Sequence, residues 1–230
     1  MTTIGERDKI RAARRAINHV ESGMVLGLGT GSTARYVIEE LAQLIRKGDL
    51  HDIRAVPTSV ETEHLAQKEG IPLTDLSSSG VNLAIDGMDE ITTDLNAIKG
   101  LGGALTREKI VATNAETFIL VGDSSKRVPY LGSKAPVPVE ILQFGWQQTL
   151  SLLERIGTVP TLRTVANSAV VTDNGNWVVD CHFSNSLEPK QLARNIEMQP
   201  GVVEHGFFFG MADCAYIGEN DEVSMIGRTL

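Results

Sequence analysis

The chain has 230 residues, 42% of them hydrophobic, and a formal net charge of -8. That length and apolar content can bury a core, which excludes a disordered chain, and the acidic balance excludes a nucleic-acid partner, which needs a basic face. No apolar run approaches the roughly 18 residues of a membrane span, the N-terminal stretch from Glu6 to Arg15 is highly charged, and the expected setting is therefore cytoplasmic, with no membrane partner.

Along the chain, Ile10, Ala13, Ile17 and Val20 repeat at helical spacing within Glu6 to Val20. Met24 to Leu28 reads as a short buried strand. It feeds Gly27-Leu28-Gly29-Thr30-Gly31-Ser32-Thr33, a loop able to wrap an anion, and then an apolar rhythm at Ala34, Val37, Ile38, Leu41, Leu44 and Ile45 that stops at Gly48. The alternation continues with a strand at Ile53 to Val56, a helix from Ser59 to Glu69, a strand at Val81 to Ile85, a helix from Thr106 to Thr113 and a strand at Phe118 to Val121. Such alternation implies an α/β fold, a mainly parallel, Rossmann-like sheet with helices on both faces and ligands beyond the carboxyl ends of its strands.

Past Pro129 the rhythm changes. A strand at Val137 to Ile141, a helix from Trp146 to Ile156, a hairpin around Asp173-Asn174-Gly175-Asn176, a helix from Pro189 to Met198 and a strand at Val202 to Phe209 predict a smaller α+β domain with an antiparallel sheet. The expected division is residues 1–128 with 209–230 for the Rossmann-like domain and 129–208 for the small one. The segments Ala212 to Ile217 and Glu222 to Arg228 are expected to return to the first sheet. Phe207-Phe208-Phe209 reads as core or subunit interface.

Several readings stay open at the level of single motifs. Gly29-Thr30-Gly31-Ser32-Thr33-Ala34 fits a sugar-phosphate loop, a dinucleotide fingerprint or a tight turn. A dinucleotide site also wants an acid after the second strand, where the chain reads Val56-Pro57-Thr58-Ser59. Asp86 and Asp89, in Asp86-Gly87-Met88-Asp89-Glu90, follow an apolar strand; they fit a turn and a helix start as well as a polar site. Lys99 precedes the loop Gly100-Leu101-Gly102-Gly103, and Glu108 falls in the first turn of the next helix, so a cation and a base stand about one loop apart. Each alone is also compatible with a solvated surface charge. Cys181 and Cys214 match no zinc spacing and the five histidines form no paired ligand motif, so buried free thiols and no metal are expected.

Taken in order, these segments resemble the type A ribose-5-phosphate isomerases. The resemblance also covers Val121-Gly122-Asp123-Ser124-Ser125-Lys126, Pro136-Val137-Pro138-Val139-Glu140 and Val171-Thr172-Asp173-Asn174-Gly175-Asn176, which is nearly the whole chain. Two positions depart from the usual family pattern: Met88 stands where alanine is usual and Leu101 where glycine is usual. The resemblance implies a cofactor-free aldose–ketose isomerase with Glu108 as general base, Lys99 as the cation for the enediolate, and Asp86 and Asp89 serving the sugar and its ring opening. It further implies a substrate site built from Thr30, Gly31, Ser32, Thr33, Gly87, Met88, Gly100, Leu101, Gly102, Lys126 and Lys9, a sugar phosphate as ligand, and assembly as a homodimer or homotetramer. The competing classes are a sugar-phosphate-sensing regulatory domain, an NAD-dependent oxidoreductase and an amino-sugar phosphate deaminase. The first would come attached to a DNA-binding domain, the second lacks its ribose-binding acid, and the third lacks its catalytic histidine.

Overall fold

The structure, a computed structural model, describes residues 3–76, 80–184 and 186–230. In chain order its elements are α1 (Ile4–Ile17), β1 (Val25–Leu28), α2 (Ser32–Lys47), β2 (Arg54–Pro57), α3 (Val60–Lys68), β3 (Val81–Gly87), β4 (Glu90–Ile91), β5 (Ala97–Ile98), α4 (Leu105–Thr113) and β6 (Ala115–Asp123). They continue with β7 (Val137–Ile141), α5 (Trp146–Arg155), β8 (Thr158–Leu162), β9 (Thr164–Val165), β10 (Ser168–Ala169), β11 (Trp177–Phe183), α6 (Pro189–Glu197), β12 (Val202–His205), β13 (Phe207–Phe208), β14 (Cys214–Glu219) and β15 (Glu222–Gly227).

Six strands in the order β15-β14-β6-β3-β1-β2 form the main sheet, parallel throughout except for β15, which returns antiparallel to β14. The apolar strands Val81 to Ile85 and Phe118 to Val121 are buried on both faces, as parallel strands covered by helices must be. One face packs on α1 and α2 through Ala12, Ala16, Val37, Ile38 and Leu41. The other packs on α4 through Val111 and Ala112, with Phe118 and Phe208. Because β2 lies to one side of β1 and β3 to the other, the chain reverses direction across the sheet beside the carboxyl end of β1. That switch point is where a crevice opens in such sheets.

A second sheet, antiparallel in the order β12-β7-β11-β8, has its own apolar core with α5 and α6, including Val139, Val179, Leu153, Leu192 and Ile196. The expected strand from Val202 to Phe209 is in fact two strands in two sheets, since β12 pairs with β7 while β13 pairs with β5 in a small three-stranded sheet. The break is Gly206. Its N–H donates to Pro138 O at 2.7 Å and its carbonyl accepts from Lys99 N at 2.9 Å. A Cβ there would lie 2.1 Å from the Lys99 carbonyl oxygen, so the backbone beside Lys99 closes only on glycine.

Glu140, on β7, is fully buried and binds four side chains. Thr172 Oγ1 and Asn176 Nδ2 donate to Oε1 at 2.8 Å each, Asn174 Nδ2 donates at 3.2 Å, and the Thr106 hydroxyl of α4 donates to Oε2. The turn after Thr172 and the start of α4 are thereby tied to one strand. Glu140→Ala is expected to destabilise the fold by roughly 3 kcal/mol, because buried donors left without an acceptor cost about 1–3 kcal/mol each and water restores only some. Urea midpoints measure this, and a loss below about 1 kcal/mol would show that water replaces the carboxylate.

Candidate active site

At the switch point the loop after β1 enters α2 with Gly31 as its N-cap and no side chain capping the helix. The first-turn N–H groups of α2 are left facing an open cavity at the positive end of the helix dipole, an arrangement that binds anions. Gly29 allows the loop to lie against β3: a Cβ at that position would stand 2.1 Å from Asp86 Oδ1. Thr30 N donates to that same oxygen at 3.1 Å.

The Thr30 hydroxyl, read from sequence as a ligand donor, is turned into the fold. It bonds Thr58 Oγ1 at 2.8 Å, Ser59 Oγ at 2.8 Å and Thr62 Oγ1 at 3.2 Å. Thr62 Oγ1 in turn donates to Gly29 O at 2.8 Å. The place where a dinucleotide site would carry an acid therefore holds hydroxyls that brace the loop itself. Ser32 and Thr33 remain at the cavity, and Lys9, from α1, donates to Ser32 Oγ at 3.1 Å.

Beside this loop three buried charged groups meet. Lys99 Nζ lies 3.0 Å from Asp86 Oδ2 and 3.3 Å from Glu108 Oε2, and it donates to Gly87 O at 2.6 Å. None of the three residues is more than 4% exposed. The ammonium also stands 5.5 Å from the centre of the Phe208 ring, a favourable cation–π placement. Although Glu108 Oε2 is within ion-pair range of Lys99, that oxygen has no hydrogen-bond partner. The contact is mainly one of charge.

Burial, then the like charge of Asp86, pushes the Glu108 carboxyl up to about 8, against the opposing pull of Lys99. Asp86 is also raised by burial, with Lys99 opposing. Lys99 is raised because its two acidic neighbours outweigh its own desolvation. A carboxyl poised near neutrality beside a fixed cation can take and return a proton.

The cavity here measures about 80 Å³, and its twelve lining residues are all among those named from sequence, Glu108, Lys99, Asp89, Met88 and Lys126 included. Three named residues do not line it: Asp86 pairs with Lys99 from behind, Lys9 donates to Ser32, and Leu101 is 43% exposed. Asp89 lies in the turn between β3 and β4 rather than at a helix start, and accepts from Leu101 N at 2.9 Å. Met88 is buried, and its sulfur lies 3.1 Å from where a Cβ on Gly122 would be. A larger cleft of about 580 Å³ opens between α1, α2 and α3, sharing Gly31 and Ser32, but its charged residues Glu6, Arg35, Glu61 and Lys68 include no buried acid–base pair. The smaller cavity is therefore the candidate active site.

Sequence reasoning missed the residues that hold α4 from behind. Arg107 donates from Nε to Asn174 Oδ1 at 2.8 Å, and Lys109 Nζ donates to Glu204 Oε1 and to His205 O, both at 2.6 Å. The only signal for them is the Thr106-Arg107-Glu108-Lys109 run itself, in which the polar neighbours of Glu108 face the second sheet. The cysteines Cys181 and Cys214 are buried free thiols, and burial pushes them up to about 12 and about 11. Among the described residues no helix is long and apolar enough to cross a membrane, and no cluster of three or more His, Cys, Asp or Glu side chains could hold a metal ion.

An anion-binding helix start set against a buried acid–lysine–acid cluster defines an α/β protein for proton transfer on a phosphorylated small molecule. Sequence comparison narrows the class. Residues 54–222 match the profile of ribose 5-phosphate isomerase A (phosphoriboisomerase A), and the chain belongs to that family. It is 47% identical over 215 residues to the ribose-5-phosphate isomerase A of Roseiflexus castenholzii, covering 93% of this chain and 92% of the relative. The ribose 5-phosphate isomerase of Plasmodium falciparum superposes with a TM-score of 0.94 at 39% identity, covering 98% of this chain and all of that one. A D-ribose-5-phosphate isomerase solved with phospho-erythronic acid gives the same TM-score of 0.94 at 37% identity, over 98% of this chain and 100% of that one.

The raised carboxyl carries a sign that can be measured. Between the ordinary value of 4.5 and about 8, the folded protein holds a proton on Glu108 that the unfolded chain releases, so this group makes stability fall as pH rises through that window. Glu108→Gln removes the titration, and its stability relative to the parent should grow from pH 5 to pH 8 in paired denaturant melts. Infrared difference spectra should show a protonated carboxyl that vanishes in Glu108→Gln and titrates at lower pH in Asp86→Asn. A signal lost in Asp86→Asn and kept in Glu108→Gln would place the proton on Asp86 instead.

Proposed function

We propose that this chain interconverts D-ribose 5-phosphate and D-ribulose 5-phosphate, a step of the non-oxidative pentose phosphate pathway, with Glu108 as the base. The observation that carries the assignment is the buried Glu108 carboxyl, which lines the cavity with its Oε2 3.3 Å from Lys99 and without a hydrogen-bond partner. The phosphate is held by the N–H groups at the start of α2 with the hydroxyls of Ser32 and Thr33, and by Lys9 and Lys126. Asp89 lines the sugar end, where a carboxylate binds hydroxyls and assists ring opening, and Asp86 acts from behind it through Lys99.

In the open aldose Glu108 removes the proton from C2. The C–H electrons form the C1=C2 bond and the carbonyl pair moves onto O1, giving a cis-enediolate. A proton passes from O2 to O1, the C1=C2 pair takes the proton back from Glu108 at C1, and the ketone forms at C2. Both oxygens of a cis-enediolate lie on one side, so a single fixed cation, Lys99, serves them with the amides of the loop after it. Grip on the remote phosphate aligns the reacting carbons.

On this reading no metal or nucleotide takes part, and residues 1–128 with 209–230 supply every reacting group, while 129–208 form a smaller domain that braces them. A cytoplasmic homodimer or homotetramer is the working form, consistent with a family of metabolic enzymes.

Turnover of ribose 5-phosphate in a coupled assay, with chelator present, tests the assignment and separates an isomerase from a sugar-phosphate sensor. Glu108→Gln should lower kcat by about 10²–10⁴, the usual worth of a general base, while still binding ligand. Near-normal turnover in a folded Glu108→Gln protein would remove Glu108 from the chemistry. Ser32→Ala should act mainly on KM, since a hydrogen bond to a charged group is worth about 1.5–3 kcal/mol; an unchanged KM would move the phosphate elsewhere.

A further inference from the structure

Lys99 enters the reaction with its ammonium already engaged, by Asp86 at 3.0 Å, Gly87 O at 2.6 Å and Glu108 at 3.3 Å. It supplies field, but a developing oxyanion also needs a hydrogen-bond donor that is free. Among the described residues Gly102 N–H has no partner, and Gly102 lines the cavity.

What aims that N–H comes from the second sheet. Arg163, between β8 and β9, forms a two-pronged pair with Asp180 of β11, Nε to Oδ2 at 2.8 Å and Nη2 to Oδ1. Its remaining nitrogen, Nη1, donates to Gly100 O at 3.1 Å and to Leu101 O at 2.9 Å. In a planar trans peptide the C=O and N–H point in opposite directions. Drawing the Leu101 carbonyl towards Arg163 therefore turns the Gly102 N–H the other way, to the cavity. The same logic holds one peptide earlier, where Gly100 O meets Arg163 and Leu101 N–H meets Asp89 Oδ2 at 2.9 Å. A charged donor on a carbonyl also polarises its peptide and strengthens the N–H as a donor.

We infer that Arg163, locked by Asp180, is a positioning residue for the isomerisation: it sets the Leu101–Gly102 peptide so that the Gly102 N–H meets the oxygen on which negative charge develops. This rests on the isomerase reading above. It assigns function to a residue that no sequence motif marked, and it gives the second sheet a part in catalysis.

The test compares kcat, KM, inhibition by inorganic phosphate and binding of phospho-erythronic acid in the parent, Arg163→Ala, Arg163→Lys and Asp180→Asn. Phospho-erythronic acid is a four-carbon acid whose carboxylate stands in for the enediolate. Misplacing an oxyanion donor by about 1 Å should lower kcat of Arg163→Ala about 10- to 100-fold. Affinity for phospho-erythronic acid should fall by a similar factor, while inhibition by inorganic phosphate, held at the far end of the site, stays within twofold. Arg163→Lys should recover little, because one ammonium cannot hold Asp180 and two carbonyls together, and Asp180→Asn should show the same pattern more weakly. A folded Arg163→Lys protein with kcat and phospho-erythronic acid affinity within twofold of the parent overturns the inference, whether or not Arg163→Ala folds. So does an equal loss for phosphate and phospho-erythronic acid, which means general damage to the site. A parent protein that fails to turn over ribose 5-phosphate would instead sink the isomerase reading.

Discussion

The structure depends on keeping one ammonium out of water between two carboxylates. Desolvating Lys99, Asp86 and Glu108 together is costly, and the mutual attraction offsets that cost only when geometry is good and remaining valences are filled. Every neighbouring feature serves that requirement. Gly29 has no side chain, so the loop after β1 can bring Thr30 N against Asp86; Gly206 has none, so its carbonyl can come close enough to accept from Lys99 N. Gly87 supplies a carbonyl to the ammonium and an N–H to Asp86 Oδ1 at 2.7 Å. The loop after β1 is thus a wall of the charge cluster, so the proposed phosphate grip and proton transfer share one support.

The second support is α4, a nine-residue helix with two jobs. Glu108 faces the cluster, while Thr106, Arg107 and Lys109 reach Glu140, Asn174 and Glu204 on the opposite side. An isolated helix this short is unstable in water, so its position must come from tertiary contacts. The second sheet provides them, and Asp173 extends the same brace to α3 by accepting from Val60 N at 2.8 Å. Lys109 Nζ, 5.1 Å from the Phe208 ring centre, and Lys99, at 5.5 Å, place that buried ring between the brace and the site.

The parallel sheet was legible because its central strands are largely apolar runs closed by loops, and α1 and α2 keep a 3.6-residue rhythm. The break at Gly206 was not, because Val202, Val203, Phe207 and Phe208 are apolar on both sides of it and hydropathy carries no record of which sheet a strand joins. The two-residue strands β4 and β5 and the β9–β10 pair are too short for any period to register. In the site, the glycine loop, the acids after β3 and the Lys99–Glu108 spacing were readable as motifs, while Met88 and Lys126 were marked only by the family resemblance. The bracing role of Thr58, Ser59 and Thr62 went unread because their partner Thr30 lies about 30 positions away and hydroxyls carry no pattern of their own. Arg163 was invisible for the same reason: its targets are main-chain carbonyls, which every residue has.

Hydrogen bonding distinguishes the two carboxyls of the cluster and supports the proposal that Glu108 is the base. Both are buried and both are raised, so the cluster cannot hold two full negative charges near neutrality. Asp86 Oδ1 accepts from Thr30 N at 3.1 Å and Gly87 N at 2.7 Å, and Oδ2 sits 3.0 Å from Lys99. Glu108 Oε2 has Lys99 at 3.3 Å and no hydrogen-bonded donor. Donors fixed on Asp86 stabilise its charge and leave the shared proton on Glu108. When that proton departs, the carboxylate it leaves is the least satisfied anion in the site, and it faces the cavity. Two carboxyls around one ammonium thus differ in what surrounds them, which supports the proposed division of roles: Asp86 fixes the cation, and Glu108 takes the proton from carbon.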